Sequence, residues 1–279
     1  MDTLPNILLE IPGCPKNLFT KGRELETDFW GVAIVGTRKA SAEGIALAEE
    51  FACVLAASGV SIISGLAFGI DSAAHRGCLK TNGRTVAVLA SGIKKIYPAA
   101  NISLSEKIIQ GEGSIVSEFE DESAYPDLFL RRNRIISGLS KAVIIIEAPL
   151  KSGALSTATW AAEQGREVFV IPGPVAHENY KGSHKLIRDG ARLVTSPDDV
   201  LSDLGLEKTS VKTRDVKEFS NDAATILEFV SGFHSAVPID KIISAIKLEP
   251  QKALVALTEL TIMGELTETP AGYTRAFKS

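Results

Sequence analysis

Three arginines crowd into four consecutive positions of a chain that is acidic overall. Arg131, Arg132 and Arg134 stand in the stretch LFLRRNRIISG, which runs from Leu128 to Gly138. Guanidinium groups bind carboxylates and phosphates through paired, charge-assisted hydrogen bonds, so the stretch predicts either buried ion pairs or an anion site. Phe129, just before the arginines, adds a flat ring that could stack on a nucleobase or pack in the core.

The composition requires any anion site to be local. The 279 residues include 30 Lys and Arg against 34 Asp and Glu, a net charge of -4, which argues against non-specific coating of nucleic acid. Cys14, Cys53 and Cys78 are scattered and form no CxxC pair, as is typical of a reducing compartment. The start MDTLPNILLEIPGC has no basic region, and Glu147 interrupts the longest apolar run. We therefore expect a cytoplasmic protein without a membrane role.

Seven short runs rich in Val and Ile alternate with helical patterns. Strands that are apolar on both faces and separated by helices predict a mainly parallel sheet with helices on both faces. Ser41 is a plausible N-cap after the first run, which predicts a right-handed βαβ unit there. We predict an N-terminal extension at 1–31 and an extended Rossmann-like α/β domain at 32–205. The runs are VAIVG from 32, VSIISG from 60, TVAVLA from 85, SIVSE from 114, AVIIIE from 142, EVFVIPG from 167 and ARLVT from 191.

The last quarter of the chain has a different pattern. Residues 206–221 are polar and aperiodic, which predicts a linker. Residues 222–279 predict three helices and a hairpin, the element order of a small winged-helix domain. Over 221–279 there are five Lys and Arg against seven Asp and Glu, a net charge of -2. Such a module is a poor phosphate binder, so this charge favours protein docking over a sequence-specific DNA-binding regulator.

The predicted sheet places several loops at one edge. In an open parallel sheet, ligands bind beyond the carboxyl ends of the strands. Glycines there allow close approach to the backbone, and helix N-termini present amide donors to an anion. Each glycine alone also suits a tight turn, but the convergence of five loops indicates one anion-binding crevice. The glycines are Gly36, Gly65, Gly69, Gly92, Gly153 and Gly173, and the neighbouring basic residues are Arg38, Lys94, Lys95 and Lys151.

The usual cofactor motifs are absent from the sequence. VGTRKAS is not GxGxxG, and the chain contains no GxxxxGK[ST] and no GxSxG. The four histidines have no metal-ligand spacing. We therefore expect neither a cofactor nor a metal. Asp71 and His75 stand one helical turn apart, which fits acid/base chemistry or, more simply, a helix-capping Asp71 with His75 packed behind it.

Arg132 occupies a position that requires a partner. A helix from Pro126 to about Leu139 would place Arg132 on its apolar face, with Arg131 and Arg134 at the edge of that face. A buried charge must be paired or must reach a polar cavity. Two interpretations remain open at this point: an ion pair with Glu147 or Glu118, or an anion bound in a pocket.

Five ordered blocks between Val32 and Asp199 resemble the DNA-processing protein A (Smf) family. They are AIVGTR, SGLAFGIDSAAHRGCL, VAVLASGIKKIYPAAN, RRNRIISGLSKAVIIIEAPLKSGALSTATWAAEQGREVFVIPG and GSHKLIRDGARLV. The resemblance implies a bacterial cytosolic homodimer that binds single-stranded DNA, protects it and loads the recombinase RecA in natural transformation, without catalysis. It also assigns a pocket for phosphates and bases to Arg38, Phe129, Arg132 and Arg134.

The complete predicted single-stranded DNA site joins this pocket to the crevice loops. Its residues are Gly36, Thr37, Arg38, Gly65, Gly92, Phe129, Arg131, Arg132, Arg134, Lys151, Ser152 and Gly153. The chain departs from the family pattern at Thr37, where serine is usual, and at His184, where asparagine is common.

One enzyme family is a rival. Phosphoribohydrolases of the lysine-decarboxylase-like type, which cleave nucleoside monophosphates, share a related fold and carry a PGGxGT loop followed by a catalytic glutamate. The corresponding stretch here, KSGALSTATWAAE, has no double glycine and no glutamate before Glu163. The sequence therefore favours a DNA-binding mediator over an enzyme.

Overall fold

The structure is a computed structural model that describes residues 4–206, 220–233, 236–246, 248–262, 264–269 and 271–275. The chain divides into two compact units, Met1–Val211 and Lys212–Ser279. The predicted linker at 206–221 lies almost wholly outside the described residues. Within the described ranges, no helix combines the length and the hydropathy that crossing a membrane requires.

An eight-stranded sheet forms the centre of the first unit. Its strands are β1 (Phe19–Gly22), β2 (Gly31–Val35), β3 (Ile62–Ser64), β4 (Thr85–Leu89), β5 (Ser114–Ser117), β6 (Ser140–Ile145), β7 (Glu167–Val170) and β8 (Arg192–Leu193). The spatial order is β1-β5-β4-β3-β2-β6-β7-β8. All neighbours are parallel except β1 and β5. The predicted mainly parallel α/β fold is confirmed, and each of the seven predicted runs overlaps a strand.

Helices cover both faces of this sheet. They are α1 (Asn6–Leu9), α2 (Ala42–Ala57), α3 (Ile70–Lys80), α4 (Ile102–Gln110), α5 (Pro126–Gly138), α6 (Gly153–Glu163), α7 (Lys181–Arg188) and α8 (Pro197–Asp203). Because side chains alternate along a strand, Ala33 and Val35 of β2 pack with α5 and α6, whereas Val32 and Ile34 pack with α2 and α3. A strand buried on both sides must be apolar throughout, as β2 is.

The strand order reverses in the middle of the sheet. From β2 the chain moves to β3 and β4 on one side, and β6 then pairs with β2 on the other side. The loops that leave the carboxyl ends of β2 and β6 therefore diverge and leave a crevice between them, which is the usual ligand position in such sheets.

The N-terminal extension is part of the first unit. Strand β1 pairs antiparallel with β5 at the edge of the sheet, and Leu8 and Ile11 are buried in the core beside α5. The sequence patterns did not predict β1, because it is short and half of it is exposed to solvent.

The second unit has its own small core. Helices α9 (Asn221–Ser231), α10 (Ile239–Ile246) and α11 (Pro250–Ile262) precede a hairpin of β9 (Leu266–Thr269) and β10 (Gly272–Arg275). Ile226, Ile242 and Leu257 are fully buried among these elements. This is the predicted element order, and assignment to the winged-helix class stays a prediction.

Candidate nucleic-acid interface

A crevice of about 670 Å³ opens at the point where the strand order reverses. It is bounded by the loop after β2, the loop after β6 and the exposed side of α5. Eight of the twelve predicted DNA-binding residues line it: Gly36, Thr37, Arg38, Phe129, Arg132, Lys151, Ser152 and Gly153. Residues almost 120 positions apart thus meet at one site, although their role in binding stays a prediction.

The loop after β2 holds Arg38 at the rim of the crevice. A Cβ at Gly36 would lie 2.6 Å from Cγ1 of Ile70, so only glycine fits this close approach. The Thr37 amide donates to the carbonyl oxygen of Glu147 at 2.7 Å, which ties the loop to the end of β6. Arg38 is exposed, and its guanidinium carbon lies 4.7 Å from the centroid of the Phe129 ring. This cation–π contact holds the charge at the crevice without neutralising it.

The buried carboxylate of Glu147 anchors the same loop from below. It accepts hydrogen bonds from the Ser41 amide at 3.0 Å, from the Ser41 hydroxyl and from the Asn179 side chain at 2.8 Å. Asn179 also donates to the carbonyl oxygen of Lys39 at 3.1 Å. Glu147 therefore fixes the loop that carries Arg38, and the proposed ion pair between Glu147 and Arg132 is wrong.

The N-terminus of α6 forms the opposite wall. Ser152 is its N-cap, and the Ser152 hydroxyl accepts from the Ala154 amide at 3.2 Å. Lys151 is exposed beside it, and a Cβ at Gly153 would meet no atom within 4 Å. Because the first amides of a helix have no partner within the helix and carry partial positive charge, this wall favours an anion.

Arg132 lies at the floor of the crevice and is only 6% exposed. Its Nη1 donates to the carbonyl oxygen of Gly65 at 2.8 Å and to that of Val88, and its Nε donates to Oδ1 of Asn133 at 3.3 Å. A Cβ at Gly65 would lie 2.5 Å from Nη2 of Arg132, so the glycine makes room for the guanidinium. Backbone carbonyl oxygens thus accept the hydrogen bonds of this buried cation. Such partners cannot be predicted from the sequence, because every residue has a backbone carbonyl.

Asp71 supplies a compensating negative charge for Arg132. Its carboxylate lines the crevice and accepts from the Gly65 amide at 3.1 Å. Burial lowers the pKa of Arg132 to about 10, against the attraction of Asp71, so the arginine remains charged at neutral pH. Burial likewise raises the pKa of Asp71, against the attraction of Arg132. Asp71 does not cap α3, because the N-cap of that helix is Gly69.

His75 lies one helical turn after Asp71 in α3. It is fully buried, and its Nδ1 lies 2.7 Å from the Thr85 hydroxyl. Burial, with the nearby charges of Arg132 and Arg76, lowers the pKa of His75 to about 3. The imidazole is therefore neutral and structural near pH 7.

Arg134 and Arg131 do not share the crevice with Arg38. Both donate through Nη2 to Oε1 of Glu118, each at 2.7 Å, and the Arg134 side chain is only 7% exposed. Arg134 also donates to the carbonyl oxygen of Gly13 at 2.7 Å. Burial alone would raise the pKa of Glu118, but the hydrogen bonds from Arg134 and Arg131 outweigh it and lower that pKa. Glu118 thus pairs with Arg134 and Arg131, so the ion pair expected between Glu118 and Arg132 is wrong. Arg134 does not line the crevice, and the prediction that it reaches the crevice is wrong as well.

The loop after β4 also departs from the prediction. A Cβ at Gly92 would lie 2.4 Å from the Glu122 amide, so this glycine permits close packing between two loops and does not line the crevice. Lys94 pairs with Glu120 at 2.6 Å, and Lys95 pairs with Asp121 at 3.2 Å. These lysines do not add charge to the crevice wall.

Several lining residues were not selected from the sequence. Asn133 is buried, and its amide donates to the carbonyl oxygen of Gly153 at 3.2 Å, which joins α5 to α6. Tyr97 meets the Phe129 ring edge-on, with 5.7 Å between centroids. The sequence did offer a signal for each residue: Asn133 lies one helical turn after Phe129, and Tyr97 follows the third predicted strand. His184, the other departure from the family pattern, lies 3.1 Å from the Gly173 carbonyl oxygen through Nε2 and is not a lining residue.

The fold and crevice define a Rossmann-like protein with a cationic, aromatic-lined site at the reversal of the strand order. The family model for DNA recombination-mediator protein A matches residues 2–205, and the chain belongs to that family. Protein Smf of Escherichia coli is 37% identical over 97% of this chain and 74% of its own length.

Two solved structures have a similar fold. The X-ray structure of DNA processing protein A from Streptococcus pneumoniae has a TM-score of 0.65 and 40% identity, covering 72% of this chain and 71% of that one. DNA processing protein A from Helicobacter pylori, described as having a unique single-stranded DNA binding mode, has a TM-score of 0.66 and 30% identity, covering 73% and 94%.

Proposed function

We propose that the protein binds single-stranded DNA in the crevice. The observation that carries this proposal is the placement of Arg38, Arg132 and Lys151, with the N-terminus of α6, around one aromatic-lined cavity. Cations would attract backbone phosphates, and aromatic rings would stack on bases that a duplex keeps paired. The relation to the Helicobacter pylori protein supports this ligand.

The biological role that we propose is recombination mediation. The protein would protect incoming single strands and load RecA onto them during natural transformation, acting as a homodimer. Membership of the recombination-mediator family supports this role.

We further propose that the protein acts without catalysis. Two carboxylates could serve an enzyme here. The Asp71 carboxylate already accepts a hydrogen bond from the Gly65 amide, and Glu163 lies at the end of α6 that is farther from the crevice. Saturable hydrolysis of ATP or of nucleoside monophosphates that survives repurification would instead favour the phosphoribohydrolase alternative.

Competition between DNA forms tests the binding proposal. We expect unlabelled oligo-dT to displace a labelled single strand in a gel-shift assay at concentrations where duplex DNA of equal length does not. Equal displacement by the duplex would contradict the proposal. Arg38→Ala should weaken binding, and Lys16→Ala, which removes an exposed lysine outside the crevice lining, is the matched control.

A further inference from the structure

A short acidic segment, residues 118–122, lies next to the crevice. Its sequence is EFEDE, and it leads from the end of β5 to Ala124 and Pro126, which line the crevice. Its four carboxylates have the same charge as DNA phosphates, so they should repel a strand that enters the crevice. The acidic segment therefore opposes the attraction that the crevice itself exerts.

The acidic segment also pairs with two lysines that lie outside the crevice lining. Lys94 Nζ lies 2.6 Å from Oε1 of Glu120, and Lys95 Nζ lies 3.2 Å from Oδ1 of Asp121. Both lysines stand shortly before Tyr97, which lines the crevice. All four side chains of these pairs are more than half exposed. Exposed ion pairs contribute little to stability, so stability alone does not account for the two pairs.

Backbone hydrogen bonds fasten the acidic segment to the loop that carries these lysines. The Gly92 amide donates to the carbonyl oxygen of Glu122 at 2.7 Å. The Lys94 amide donates to the carbonyl oxygen of Glu120 at 3.1 Å. The contact between the two loops therefore does not depend on the ion pairs, and the lysine side chains can change partners without movement of the backbone.

We propose that the acidic segment limits the affinity of the crevice for single-stranded DNA by holding Lys94 and Lys95 away from the phosphates. Without the carboxylates of Glu120 and Asp121, the two lysines would bind phosphates of the strand just outside the crevice. A lysine ammonium is a point charge on a flexible stem, which suits the irregular backbone of a single strand. This inference rests on the proposed single-stranded DNA binding, and it fits a mediator that must also release the strand.

The neutralised variant Glu120→Gln/Asp121→Asn tests the proposal, because it removes both charges and keeps the side-chain shapes. We expect it to bind oligo-dT about tenfold more tightly than the wild type at low salt. The magnitude of the slope of log K against log[salt] should rise by about 1.4, since two further phosphate contacts form. Fluorescence anisotropy titrations over a series of salt concentrations measure both quantities.

The matched control is Glu112→Gln/Glu249→Gln, which changes the net charge by the same amount. Glu112 pairs with Arg23 at 3.9 Å and precedes β5, whereas the acidic segment follows that strand. Glu249 pairs with Lys252 at 3.7 Å in the second unit. Because salt screens distant charges, this control should bind oligo-dT within about twofold of the wild type.

Removal of the lysines shows whether they cause the gain in affinity. Lys94→Ala/Lys95→Ala, combined with the neutralised variant, should return the affinity and the salt slope to near the wild-type values. Lys16→Ala/Lys21→Ala removes two exposed lysines outside the crevice lining, and in the same background it should keep the gain. Thermal melts should show every variant folded.

Two results would overturn the proposal while the proposed function stands. The neutralised variant could bind no more tightly than its control, or its gain could survive the loss of Lys94 and Lys95. If the wild type does not bind oligo-dT, the proposed function fails and the role of the acidic segment fails with it.

Discussion

At the scale of single residues, neighbouring arginines on one helix have different tasks. Arg132 donates hydrogen bonds to backbone carbonyl oxygens at the floor of the crevice. Arg134 forms an ion pair with Glu118 outside the crevice. The exposed positive charge at the crevice comes from Arg38, which lies on a different loop. Burial and partners, rather than residue type, therefore distinguish the exposed Arg38, which we propose binds DNA, from the structural Arg134.

Substitution of Arg38 should therefore affect DNA binding, whereas substitution of Arg134 should affect stability. Arg38→Ala should weaken oligo-dT binding, and the magnitude of the slope of log K against log[salt] should fall by about 0.7, because one phosphate contact is lost. Its melting temperature should be unchanged.

Arg134→Ala should instead lower the free energy of unfolding by about 3 kcal/mol, since it removes one partner of a buried ion pair. Urea denaturation and salt titration of both variants measure the contrast. A normal melt with a reduced salt slope for Arg134→Ala would place this arginine on the DNA.

His75 should make stability depend on pH. Its pKa is about 3 in the folded protein but near 6.5 in an unfolded chain, so below pH 6.5 the unfolded state binds more protons. Its contribution is complete above pH 6.5 and is lost as pH falls towards 3. Between pH 6 and 5, wild-type stability should fall more steeply than that of His75→Leu, by up to about 1.4 kcal/mol per pH unit. Urea melts across this range measure both slopes, and parallel slopes would refute the buried neutral histidine.

At the scale of elements, α5 joins the crevice to the core. Its start at Pro126 and its end near Leu139 could be predicted from proline placement and apolar spacing, as could the seven parallel strands. The partners of Arg132 could not be predicted, because they are the backbone carbonyls of Gly65 and Val88, which have no sequence signature. The same holds for β1, whose pairing depends on an exposed edge of the sheet rather than on its own composition.

Gly65 and Gly153 allow a test of this arrangement. Gly65→Ala would place a Cβ 2.5 Å from the Arg132 guanidinium, so we expect a loss of about 1–3 kcal/mol and weaker oligo-dT binding. Gly153→Ala meets open space at the start of α6 and should change stability by less than about 1 kcal/mol. Equal stabilities of the two variants would show that Arg132 moves freely.

At the scale of the whole molecule, the two compact units have separate cores. All residues that line the crevice belong to the first unit, and the tail from 221 carries a net charge of -2. We expect a chain shortened to residues 1–207 to bind oligo-dT within tenfold of the full chain, a difference below about 1.4 kcal/mol. A larger loss in anisotropy titrations would mean that the second unit contributes directly to DNA binding.

Gly65 and Arg132 occupy one shared volume, so neither position is free to change alone over evolutionary time. A larger residue at 65 would displace the guanidinium, and loss of the guanidinium would leave two carbonyl oxygens without their donor and a void beside the glycine. Relatives with a side chain at the first position should therefore carry a smaller, uncharged residue at the second. Independent variation of the two positions among family members would contradict this coupling.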